Sequence, residues 1–131
     1  MLRLILVLLS LLLIACCSGP RPDASLFPEA AGPWTLKQTA AVAPDQVPEP
    51  IRRLGIWRAG DASYEGAGTL KVRVYEMTSS AAAFEAEQTW RAIADTVVCH
   101  KERFFTVVHW ENADRAAVTV FVREMEQRSG L

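Results

Sequence analysis

The chain has 131 residues, with 14 Lys and Arg against 15 Asp and Glu and a formal charge of −1. So balanced a charge excludes the basic stripe of a nucleic-acid binder and the polybasic patch of a membrane-surface protein, and the length holds one small core and not two. Of the three cysteines, Cys16 and Cys17 end the N-terminal apolar run and Cys99 stands alone beyond it, so no disulfide framework staples a domain.

Residues 1–15, MLRLILVLLSLLLIA, carry one early positive charge at Arg3 and then an apolar run broken only by Ser10. That is the shape of a signal peptide, too short for a comfortable bilayer span. The run closes on Leu13, Ile14, Ala15 and Cys16, which resembles the lipobox of bacterial lipoproteins: a branched apolar residue, a tolerated second, a small residue, then cysteine. The resemblance implies that Cys16 becomes the lipidated first residue. It implies a bacterial envelope address facing the periplasm and, with no aspartate at position 17, the outer membrane over the inner. The other register, with the cut before Cys17, puts a larger residue just ahead of it; the plainer alternative is an ordinary secretory signal or an anchor helix.

Residues 18–25, SGPRPDAS, are small and polar with two prolines, a composition that builds no core and suits a spacer. The expected division is therefore 1–15 signal peptide, 16–25 lipidated tether and 26–131 a single domain. Thr35 to Val42 has the β-branching and alternation of an opening strand. Pro44, Pro48 and Pro50 break it, and Pro50 suits the first turn of a short helix through Leu54 that Gly55 ends. Ile56 to Gly68 reads as a brief strand, a turn and a glycine-rich approach to the next strand. A phosphate loop is not expected there: GKS and GKT are absent, and the glycines precede a strand where such a loop precedes a helix.

Leu70, Val72 and Val74 alternate with Lys71, Arg73 and Tyr75, the period of a strand with one face buried. Thr78, Ser79 and Ser80 supply capping hydroxyls for a helix whose apolar stripe is Ala83, Ala86, Trp90, Ile93 and Ala94. Thr96 to Trp110 predicts a hairpin with a four-residue loop at His100 to Arg103, its second strand apolar on both sides and hence interior. From Asn112 onward a helical stripe of Val118, Phe121, Val122 and Met125 competes with strand-like alternation over Ala117 to Arg123, and length favours the helix.

Cys99, His100 and His109 invite a metal reading, but neighbouring strand residues point to opposite faces, so no metal site is expected and Cys99 reads as a buried structural thiol. A Cys99 nucleophile, or a carboxylate pair among Glu65, Glu76 and Glu111, is the enzymatic alternative; each glutamate alone reads as solvated. No cofactor and no catalytic residue is assigned. Trp34 and Trp57, beside Pro and Gly turns, together with Tyr64, are the candidate ligand or partner surface, set against core packing, which suits the large rings of so small a domain.

The run LFPEAAGPW, the glycine-bearing stretch before KVRVYEM, and TSSAAAFEAEQ together resemble an uncharacterised group of bacterial envelope proteins, a domain of unknown function. The resemblance covers Leu26 to Arg91 and implies a fold, not catalytic residues; the asparagine and glycine pair usual in that group's loop is replaced here by Tyr64 to Gly68. The expected architecture is α+β: a small antiparallel sheet with two main helices packed on one face. The expected role is a membrane-anchored accessory protein that binds an envelope partner or small ligand through a non-enzymatic domain, with the bilayer engaged through acylated Cys16 and no nucleic-acid partner.

Overall fold

The computed structural model describes residues 26–127; the signal peptide, Cys16 and the tether read from the sequence lie outside them. The strands are β1 (Ala30–Ala31), β2 (Trp34–Val42), β3 (Ile56–Gly66), β4 (Gly68–Met77), β5 (Thr96–Lys101) and β6 (Phe104–Glu111), and the helices are α1 (Glu49–Leu54), α2 (Ser80–Thr89) and α3 (Arg115–Gln127). Among the described residues the strands form one antiparallel sheet in the order β1-β2-β3-β4-β6-β5. The α+β class expected from the sequence is what the chain adopts, with a larger and more curled sheet.

β3 is not the brief strand read from IWRAGDASYEGAG but runs for 11 residues. Its small residues mark close approach, not a turn. A side chain at Gly60 would stand 3.1 Å from the Phe27 ring, and one at Gly66 would overlap the Pro33 carbonyl oxygen. The real turn lies between Gly66 and Gly68, which pair across it, and Gly68 takes the left-handed φ of 121° that a β-carbon resists.

The helices cover both faces of the sheet, not one. On the inner face, Trp34, Tyr64, Leu70, Val72, Val74 and Val108 pack under Val118, Phe121 and Met125 of α3. On the outer face, Tyr75, Met77 and Phe105 pack under Ile51 of α1 and Ala82, Ala83 and Ala86 of α2. The reason is in the strands: near the C-terminal end of β4 and the start of β6 large apolar residues point to both sides, Val74, Phe104 and Val108 to one and Tyr75, Met77 and Phe105 to the other, and each apolar side needs a cover. α3 touches β1 and β5, the two opposite edges, so the sheet curls around it as a half-barrel.

Ser79 caps α2 as expected, its Oγ accepting from the Ala82 amide at 3.0 Å. The helix stops at Thr89, five residues short of the predicted end. Thr89 bonds back to the Glu85 carbonyl at 2.9 Å, Trp90 is extended, and Asp95 takes a positive φ of 53° as the chain turns into β5. Ile93, placed by periodicity on the buried stripe, is therefore exposed. The β5–β6 loop is also tighter than predicted. Lys101 pairs with Phe104, leaving Glu102 and Arg103 to turn, with Glu102 at φ 52° doing what Gly or Asn usually does. The short helix ended by Gly55 and the helical C-terminal segment are as the sequence predicts.

Candidate functional site

α1 and α2 cover one end of the outer face and leave the other open. Two rows of side chains cross that open part, Ala40, Asp61, Arg73 and Val107 in one and Gln38, Ser63, Lys71 and His109 in the next. With Pro48 and Trp90 as walls from the ends of the helical segments, they line a groove of about 480 Å³, within the roughly 300–1,000 Å³ usual for small-molecule sites. Its surface is mostly apolar, with a few fixed polar groups.

Arg73 is the most tightly held of these. Its Nε donates to Asp61 Oδ1 at 2.6 Å and its Nη2 to Oδ2 at 2.8 Å, a two-pronged pair that raises the guanidinium pKa further above its ordinary value. Burial pushes the neighbouring Tyr75 hydroxyl up as well, against the opposing pull of Arg73. Toward the groove's end, Lys71 Nζ lies 3.3 Å from Glu111, and His109 sets Nδ1 3.2 Å from the Thr96 hydroxyl. The arrangement presents donors and acceptors from the strand rows between apolar walls, which suits recognition of a ligand carrying both characters.

Trp90 contributes an unusual feature. Its ring packs on Phe105 with centroids 5.6 Å apart, yet its Nε1 is buried with no hydrogen-bond partner. Because that atom is closed to water, the indole N–H belongs to the groove's wall and not to its binding surface.

The other candidates fall elsewhere. Cys99 is buried on the inner face opposite Thr106, its thiol pushed up to about 12 by burial and by the nearby charges of Glu126 and Glu87. His100 and His109 lie on the outer face, His100 against Glu87, so neither stands beside Cys99. Among the described residues no cluster of His, Cys, Asp and Glu is arranged to hold a metal. Glu65 and Glu111 flank Thr69 on the strands either side of it, about two strand spacings or roughly 10 Å apart, and pair instead with Lys37 and Lys71.

Three expectations are corrected. Glu76 is not solvated: at 5 % exposure it accepts from both Arg58 and Arg103, since two guanidiniums compensate its desolvation. Trp34 and Tyr64 are not surface groups but fully buried, Trp34 donating to the Ala117 carbonyl at 2.9 Å and Tyr64 to the Pro28 carbonyl at 2.8 Å. Only Trp57 of that trio is exposed, at 62 %. The groove itself is not read from the sequence: with a turn placed inside Ile56 to Gly68, nothing shows that Asp61 and Ser63 face Arg73 and Lys71, and His109 is weighed there only as a metal ligand.

Compared with protein-family models, with curated proteins and with solved structures, the chain matches none. The fold and groove alone define what it is: a curled α+β sheet domain with an open, mixed polar and apolar cleft on its outer face.

Proposed function

We propose that this protein is a lipid-anchored lipoprotein of the bacterial envelope whose domain binds an envelope partner or small ligand in the outer-face groove and catalyses no reaction on it. The observation that carries the reading is the groove itself, a cleft of about 480 Å³ whose polar groups are already held by Asp61–Arg73 pairing. Preorganised donors of this kind lower the cost of ordering on binding. The buried, proton-retaining thiol of Cys99 supports binding over thiol chemistry, because the thiolate is the nucleophile. In this reading Cys16 carries the acyl chains, the domain faces the periplasm, and the outer membrane is favoured over the inner. Two or more chains, at about 0.8 kcal/mol per buried CH₂, make a stable hold where one is marginal.

Photocrosslinking in cells tests the groove. A photoreactive residue at Gln38 is expected to capture a discrete adduct that the same residue at Glu85, on the far helix, does not. Identical adducts from both positions, or none from Gln38, would overturn the groove assignment. Cys16→Ala is expected to abolish fatty-acid labelling while Cys17→Ala keeps it.

A further inference from the structure

Of the large apolar side chains, Trp57 is the most exposed among the described residues. It stands at the start of β3, beside the irregular pairing between Ile56 and Arg58. The Arg103 guanidinium lies over its ring, 5.0 Å from the centroid. Arg103 Nε also donates to Glu76 Oε1 at 3.0 Å, and Arg58 donates to the other oxygen of the same carboxylate. One buried glutamate thus fixes two guanidiniums and, through one of them, an exposed indole at a single end of the sheet. Such groups suit a bilayer interface, where the indole sits at headgroup level and guanidiniums pair with phosphate.

The course of the chain points to the same end. A β-carbon at Gly60 would lie 3.4 Å from Leu26 Cδ1, and the Tyr64 hydroxyl donates to the Pro28 carbonyl. From Leu26 to Pro28 the chain therefore runs along β3 away from Trp57, so Leu26, the first described residue, lies nearer the Trp57 end than Pro28 does. Gly60 is two residues, about 7 Å, from Arg58. Leu26 follows Cys16 by ten residues, at most about 36 Å of extended chain. The groove's rows cross the sheet toward the opposite, Gly66–Gly68 end.

Resting on the lipoprotein reading above, we propose that the Trp57, Arg58 and Arg103 end of the domain lies against the headgroups of the phospholipid bilayer that holds Cys16, so that the groove opens away from the membrane. Arg58 and Arg103 both already donate to Glu76, so their net attraction to an anionic surface is small. The acyl chains supply the hold, and this corner supplies the orientation.

The test uses the full chain purified from the cell envelope and reconstituted in vesicles of phosphatidylethanolamine and phosphatidylglycerol with brominated acyl chains. Brominated lipid is expected to quench a tryptophan component that Trp57→Phe removes, and Arg103→Glu is expected to reduce that quenching by half or more. Equal quenching of the parent and Trp57→Phe chains, or full access of aqueous iodide to Trp57 on vesicles, overturns the proposal; a protein partner at this corner would give that result. Fatty-acid labelling of the same preparation reports separately on Cys16. If the label is absent, the lipoprotein reading fails, and the quenching by itself still decides whether Trp57 meets lipid.

Discussion

The two faces of the sheet are built from the same strands and treated differently. The inner face is wrapped around α3 and closed: Phe121 and Tyr64 meet edge to face at 4.8 Å, and the buried hydroxyl and indole N–H groups of Tyr64 and Trp34 find carbonyl partners. The outer face is covered at one end by two helices whose contacts are mostly alanines, and at the other it is open, with ion pairs on display and one buried N–H unsatisfied. The inner face is closed and fully packed, while the outer face leaves a groove open, the one proposed above for binding. The closed core and the open groove are thus separated by the pleat, one residue apart along each strand.

The largest effect that tests this division is on the inner face. Phe121→Ala is expected to cost about 3–5 kcal/mol, a large share of the stability of a domain this size, because it empties the centre of the closed core. Val107→Ala, half-buried in the groove, is expected to cost under about 1.5 kcal/mol. Similar midpoints in chemical denaturation would break the distinction.

Cys99 provides a second measure. Its thiol pKa is raised from the ordinary 9.0 to about 12 on the inner face. Below pH 9 the thiol is protonated in both folded and unfolded chains and its stabilising difference is fully present. Between pH 9 and about 12 the unfolded chain loses the proton first, so the folded state loses stability, by up to about 4 kcal/mol across that window. Cys99→Val is expected to remove that share of the alkaline decline in stability measured by urea unfolding. An unchanged decline would mean that the site is open to water.

A smaller effect is expected in the groove. Asp61→Asn removes the charged partner of Arg73, but both side chains are partly exposed, at 42 % and 32 %, so the loss of stability is about 1 kcal/mol or less. The change in binding is expected to be larger than the change in stability, since a displaced guanidinium no longer presents its donors at one place. Titration of whatever Gln38 captures, with parent and variant, measures the ratio.

How much of this was readable depended on which physical signal each residue carried. The alternation of β4, the Ser79 cap and the stripe of α3 are local patterns and survived folding. Trp34 and Tyr64 stand near proline and glycine, which suggests a surface as readily as a core, yet both are buried, and Gly66 lets β3 approach the Pro33 carbonyl closely. Glu76 reads as a solvated carboxylate until Arg58, on the next strand, and Arg103, from the β5–β6 turn, are brought to it. The groove is a relation between strands, visible only once the register sets Asp61 opposite Arg73.

Two tryptophans bring the comparison down to a single atom. Trp34, on the inner face, donates its indole N–H to the Ala117 carbonyl at 2.9 Å, and Trp90, on the outer face, buries the same group without a partner. Replacing either by Phe removes the N–H and part of the ring, with a packing loss of about 1–2 kcal/mol. At Trp34 the loss adds to a broken hydrogen bond and a carbonyl left behind, for a total of about 2–4 kcal/mol. At Trp90 it is offset by the roughly 1–3 kcal/mol recovered when an unsatisfied donor is removed, so Trp90→Phe is expected to lie within about 1 kcal/mol of the parent chain. Trp90→Ala, which strips the ring from Phe105, is expected to cost clearly more than Trp90→Phe. Equal losses for Trp34→Phe and Trp90→Phe in urea unfolding would show that the Trp90 N–H does have a partner, and that the groove's wall is as fully satisfied as the inner core.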